Sequence, residues 1–129
     1  MVTDRVSATV IAVVDDDSHI LRSLGDLLES ADYGVRLFTS PAALLKSACL
    51  SEIDCLISDI DMPGIDGFEL LRLGEAARPG LPIILITGYP ERLKQLPSSS
   101  FIGSRFFIKP FEGSTLLSTI GEAISSFRK

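Results

Sequence analysis

Short apolar runs alternate along this chain with longer stretches whose apolar residues recur at helical spacing. Residues 9–14 (TVIAVV) form a continuous apolar run that stops at Asp15. Ile20, Leu21, Leu24, Leu27, Leu28 and Ala31 then recur at three- and four-residue intervals, which lines one face of a helix. Asp17 or Ser18 can accept the unpaired amides at its start. Residues 33–38 read as a second, weaker strand after a turn at Gly34. Ser40-Pro41 opens the next helix in the favoured order, cap residue and then proline at the first helical position. That helix is expected to carry Leu44, Leu45, Ala48 and Cys49 inward.

A third apolar run, residues 55–58 (CLIS), is again ended by an aspartate, Asp59. The turn formers of 61–67 (DMPGIDG) follow, with Asp66-Gly67 shaping the entry to a helix that carries Phe68, Leu70, Leu71 and Leu73. Pro79, Gly80 and Pro82 break it. The fourth strand covers 83–86 and ends at Thr87-Gly88; the fifth covers 106–108 and ends at Lys109-Pro110. The last helix starts near Ser114 and places Leu116, Leu117, Ile120, Ala123, Ile124 and Phe127 on one face. Between them, Pro97 and three serines interrupt the segment 90–105, where a short fourth helix and then an irregular loop are expected.

Strands that alternate with helices imply parallel pairing through right-handed crossovers. Runs that are apolar throughout imply strands covered on both faces. The expected fold is α/β: a doubly wound, five-stranded parallel sheet with flanking helices. A length of 129 residues suits one domain, with a core over about 8–128.

Composition narrows the function. A hydrophobic share of 46% supports a real core and argues against disorder. The net charge of −5, with lysines and arginines scattered, offers no basic stripe to a nucleic-acid backbone. The apolar runs are strand-sized, too short to cross a bilayer. Cys49 and Cys55 lack metal-ligand spacing and read as small buried hydrophobes, which fits a reducing, cytoplasmic setting.

The aspartates are bunched, and the fold gives a reason. In a doubly wound sheet, chemistry gathers beyond the carboxyl ends of the strands. Those ends carry Asp15 and Asp16, Asp59, Thr87 and Lys109. Three crowded carboxylates repel one another and call for a divalent cation, and all-oxygen ligation suits magnesium. A carboxylate can also attack phosphorus and form an acyl phosphate. The transferring group's charge is then stabilised by metal, cation and hydroxyl. The plainer alternatives are a helix-capping cluster for Asp15–Asp17, a turn aspartate for Asp59 and a solvated lysine for Lys109. Their joint placement at several strand ends favours the chemical reading.

The pieces VVDDD at 13–17, LISDIDMPGIDG at 56–67, ILITG at 84–88 and FFIKPF at 106–111 resemble the response-regulator receiver family of two-component signalling. The match keeps order and spacing over nearly the whole chain. It implies the CheY-like, flavodoxin-like strand order 2-1-3-4-5. It implies that Asp59 is the phosphoacceptor, and that Asp15, Asp16, Asp59 and the backbone carbonyl of Asp61 hold Mg2+. It implies that Thr87 and Lys109 assist the phosphoryl group and that Thr87 and Phe106 form the switch. Phe106 also reads as a fixed core aromatic. The Lys109–Pro110 bond is expected to be cis. Tyr89 reads either as a screen over the site or as an exposed loop aromatic, and His19 as a surface residue.

Implied partners are a histidine kinase or phosphotransfer protein and an output domain or effector. A homodimer is an open possibility; nucleic acid and membrane are not expected partners. Two other functions compete. Asp59-Ile60-Asp61 has the D-x-D form of haloacid-dehalogenase-like phosphatases, but those carry it on the first strand, and Met62-Pro63 follow here. A receiver-like binding module that is never phosphorylated is the third reading, favoured by the irregular 90–105 segment and opposed by the complete set of strand-end groups.

Overall fold

The β-branched and leucine-rich runs become the inner strands of a sheet because each is apolar on both of its faces. The computed structural model describes residues 9–47, 49–95 and 105–128. In chain order the elements are β1 (Val10–Val14), α1 (Ser18–Ser30), β2 (Gly34–Phe38), α2 (Pro41–Lys46), β3 (Cys55–Asp59), α3 (Gly67–Ala77), β4 (Ile83–Thr87), β5 (Arg105–Ile108) and α4 (Gly113–Arg128). Two 3-10 turns, Cys49–Ser51 and Pro90–Gln95, complete the described elements. All strand pairings are parallel and the order is β2-β1-β3-β4-β5, the expected doubly wound sheet.

Alternate residues of the central strands feed two separate cores. Ala12, Val14, Leu56, Ile83 and Leu85 pack with Leu44, Leu70 and Leu71 on one face. Ile11, Val13, Ile57, Ile84 and Ile86 pack with Leu21, Leu24, Leu28, Leu116, Ile120 and Ile124 on the other. Cys55 belongs to the second core, and burial pushes its thiol up to about 12, so it sits there as an apolar group.

Local chemistry sets the helix starts. Asp17 accepts from the amides of His19 and Ile20, Ser40 from that of Ala43, and Asp66 from that of Glu69. Each satisfies donors that the first turn leaves free.

Three expectations need correction. The turn before β2 lies at Asp32, whose φ is 69°, while Gly34 already pairs with Val10. Asp32 tolerates that conformation because Asp is among the residues that adopt it with least penalty. The second helix stops at Lys46, and Cys49 opens a 3-10 turn; Ala48 and the side chains of Cys49 and Phe127 lie outside the described residues. Of the expected inward residues whose side chains are described, Leu44 is fully buried and Leu45 half-buried. The short fourth helix is present as the 3-10 turn Pro90–Gln95, and the irregular loop expected after it falls outside the described residues. Asp59 and Thr87 are the last paired residues of their strands instead of the first residues beyond them.

Candidate functional site

Parallel register brings distant residues level with one another. Val14 pairs with Ser58, so Asp15 stands beside Asp59 one step further on. Ile108 pairs with Thr87, and the amide of Lys109 donates to the Thr87 carbonyl at 2.8 Å. Four strand ends thus open into one solvent-facing cleft of about 420 Å³, lined by Asp15, Asp16, Asp17, Ile20, Asp59, Asp61, Gly88, Tyr89 and Lys109.

Carboxylate oxygens of Asp15, Asp16 and Asp59 lie within 4.8 Å of one another. Asp15 and Asp59 are nearly buried and Asp16 is exposed. One Asp15 oxygen accepts from the Asp17 amide at 2.9 Å. The Oδ1 of Asp59 is buried and has no hydrogen-bond partner. Lys109 Nζ approaches it at 3.5 Å and Asp15 Oδ2 at 3.8 Å. Burial, with the Asp15 charge adding to it, raises the Asp59 carboxyl to about 6 against the pull of Lys109. Burial likewise raises Asp15. A charged, unpartnered oxygen in a crowded acidic cleft is what a divalent cation would relieve, so these residues fit a metal with oxygen ligands.

The chain around Asp59 is held by close packing. A Cβ on Gly67 would stand 2.6 Å from the Ile60 Cα and 2.7 Å from the Asp59 carbonyl oxygen. The Gly67 amide donates to the Ile60 carbonyl at 3.0 Å. Glycine is required because the helix α3 start presses directly on the strand end. The sequence signal, Asp66-Gly67, reads as a turn and gives no hint of this contact.

Thr87 sits at the margin and does not line the cleft. Its hydroxyl donates to Asp61 Oδ2 at 2.7 Å and accepts from the Tyr89 amide at 3.0 Å. The Asp61 side chain, for which only the backbone was expected to matter, is therefore engaged. Its other oxygen lies 3.3 Å from Nε of Arg92, a residue that sequence reasoning missed. Arg92 also donates to Asp66 at 3.1 Å and stacks 5.3 Å from the centre of the Phe68 ring. These contacts span 24 to 31 residues (Phe68, Asp66 and Asp61 to Arg92), so no local motif announces them. Phe106 lies on the edge strand β5, 36% exposed and outside both clusters of buried residues. Tyr89 is exposed at the cleft mouth, and Lys109–Pro110 is cis as the resemblance implied.

The family described as response regulator receiver domain matches residues 11–121. The chain belongs to that family. It is a signalling receiver of the two-component type. It is 37% identical over 114 residues to the transcriptional regulatory protein FixJ of Bradyrhizobium diazoefficiens, covering 88% of this chain and 56% of that protein. To the response regulator protein TodT of Pseudomonas putida it is 32% identical over 120 residues, covering 91% and 52%. This receiver spans about half the length of these curated relatives. A CheY-like receiver domain protein of Methanospirillum hungatei superposes with a TM-score of 0.81 at 28% identity, covering 95% of this chain and 98% of that one. A receiver domain protein of Clostridium thermocellum superposes at 0.83 with 26% identity, covering 93% and 97%. Among the described residues no helix is long and apolar enough to cross a membrane.

Proposed function

We propose that Asp59 accepts a phosphoryl group from a partner's phosphohistidine and that the added charge switches this receiver. The observation that carries this is the buried Oδ1 of Asp59, which takes no hydrogen bond and faces an open cleft beside Lys109. In the transfer, an Asp59 oxygen attacks phosphorus. The phosphorus–nitrogen bond breaks, and its electron pair returns to the imidazole of the donor, which takes up a proton. Hydrolysis of the acyl phosphate restores the Asp59 carboxylate and releases inorganic phosphate.

Asp15, Asp16 and Asp59, with the backbone carbonyl of Asp61, would hold Mg2+. When bound, it supplies positive charge that lowers the cost of bringing an anionic phosphoryl group to a carboxylate. Lys109 lies close enough to both Asp15 and Asp59 to pair with a phosphoryl oxygen. Thr87 supplies a hydroxyl donor once it turns from Asp61. The acyl phosphate carries roughly −2 where the carboxylate it replaces carried about −1, so phosphorylation adds about one negative charge and bulk, enough to bias a two-state element, here Thr87 and Phe106. The donor is a histidine kinase or phosphotransfer protein, and the acceptor of the signal is an output domain or effector in the cytoplasm.

The test is intact-mass measurement after incubation with acetyl phosphate and magnesium, followed by mapping of the modified residue. One phosphoryl group on Asp59 is expected. Modification elsewhere, or repeated turnover of a small phosphate ester, would overturn the assignment. The phosphatase alternative already sits poorly with Asp59 ending the third strand.

A further inference from the structure

The hydroxyl of Thr87 has one proton and two acceptors in reach, of which the Tyr89 carbonyl is the more distant at 3.4 Å. Asp61 takes the proton at 2.7 Å, a short bond to a carboxylate. Bonds of that type are roughly twice as strong as those between neutral groups. Asp61 is in turn braced. Arg92 Nε stands 3.3 Å from its second oxygen, an ion pair without a hydrogen bond, and Arg92 is itself tied to Asp66, which caps α3, and to the Phe68 ring. Both Asp61 and Arg92 are about three-quarters covered, with side-chain exposures of 24% and 28%, so water competes weakly for these contacts.

We infer that Asp61 is a positioning residue that competes with the phosphoryl group for the Thr87 hydroxyl, and that Arg92 braces it in that role. This rests on Asp59 being the acceptor. The hydroxyl cannot serve both anions. Any group on Asp59 that recruits Thr87 must first draw it from Asp61, so this contact sets part of the resistance to switching. A glutamine, alanine or other weak acceptor at position 61 would lower that resistance while leaving Asp59, Asp15, Asp16 and Lys109 in place.

Beryllofluoride, a stable mimic of the phosphoryl group, gives the test. Its affinity in the presence of magnesium is measured by calorimetry for the full chain, Asp61→Ala, Thr87→Val and the double variant. Removing Asp61 also removes a negative charge, which alone tightens anion binding. The Thr87 comparison separates that effect. Competition predicts that Thr87→Val weakens beryllofluoride binding about three- to tenfold more in the Asp61→Ala background than in the unsubstituted chain. Equal losses in both backgrounds mean that Asp61 acts through charge alone, and they overturn the inference while leaving the acceptor assignment standing. No beryllofluoride binding by the unsubstituted protein overturns both. Folding of each variant is checked by its denaturation midpoint. Should Asp61→Ala fail to fold, Asp61→Asn serves in its place, with a smaller coupling of the same sign expected because its carbonyl is a weaker acceptor. Absence of coupling there is equally decisive against competition.

Discussion

Lys109 Nζ stands 3.5 Å from Asp59 Oδ1, near enough to offset its charge yet without a hydrogen bond to it. The acceptor is thus kept in a buried, poorly satisfied state. Proteins retain such strain where it serves a site. Asp59→Asn should therefore stabilise the metal-free protein by roughly 1–2 kcal/mol, because it removes a charge that burial and Asp15 disfavour. Urea denaturation in a chelator measures this. A clear loss of stability would show that Asp59 is a satisfied structural group.

Magnesium should reverse the balance. At a hundredfold excess over its dissociation constant, a ligand of the folded state adds about 2.7 kcal/mol. Asp16 is exposed, so truncating its side chain removes little packing. Asp16→Ala should leave metal-free stability within about 0.5 kcal/mol of the parent, yet remove most of the magnesium-dependent gain. Melting curves with and without magnesium check it. An undiminished gain in that variant would place the ion elsewhere.

The Asp59 carboxyl titrates near 6 in the folded chain, against 3.8 for an unperturbed aspartate. Between those values the folded state binds more protons than the unfolded one, so this group's contribution to stability declines as pH rises through the window. It is constant above about pH 6. Asp15 shifts in the same direction. The stability advantage of Asp59→Asn in chelator should grow from pH 4 to pH 6 and then level off. Magnesium affinity should follow the opposite course, falling below about pH 6 as protons compete for the site. A stability difference independent of pH would rule out the shift.

Gly67→Ala tests the packing beneath the acceptor. Its methyl group would meet backbone atoms of Ile60 and Asp59, which cannot swing aside as a side chain can. Overpacking of this kind costs about 1–3 kcal/mol. The substitution should also displace Asp59 and slow labelling by acetyl phosphate. Unchanged stability and labelling would mean that α3 shifts without resistance.

The strands and the strand-end residues were legible because they obey short-range rules. An apolar run ended by Asp59 or Lys109 announces both a covered strand and a polar group at its tip. The two-faced cores follow from the same runs. What escaped was of two kinds. Asp32 and the early stop of α2 at Lys46 depend on competition between neighbouring turn conformations, which a periodic pattern does not resolve. Arg92 and the Asp61 side chain depend on contacts across 26 to 31 positions, which arise only when β4 lies beside β3. Phe106 could be placed on a strand from sequence, but its 36% exposure depends on what covers that face of the edge strand β5, which a local pattern does not show.

That margin has a further consequence. The acidic trio hangs from interior strands gripped on two sides, whereas Lys109 follows β5, which is bonded to β4 alone. Peeling that single outer ribbon would carry off the cleft's cation and spare its anions. What remained could still gather metal but would lack the positive arm facing Asp59, so the sturdiness of one border strand governs whether the pocket is chemically whole.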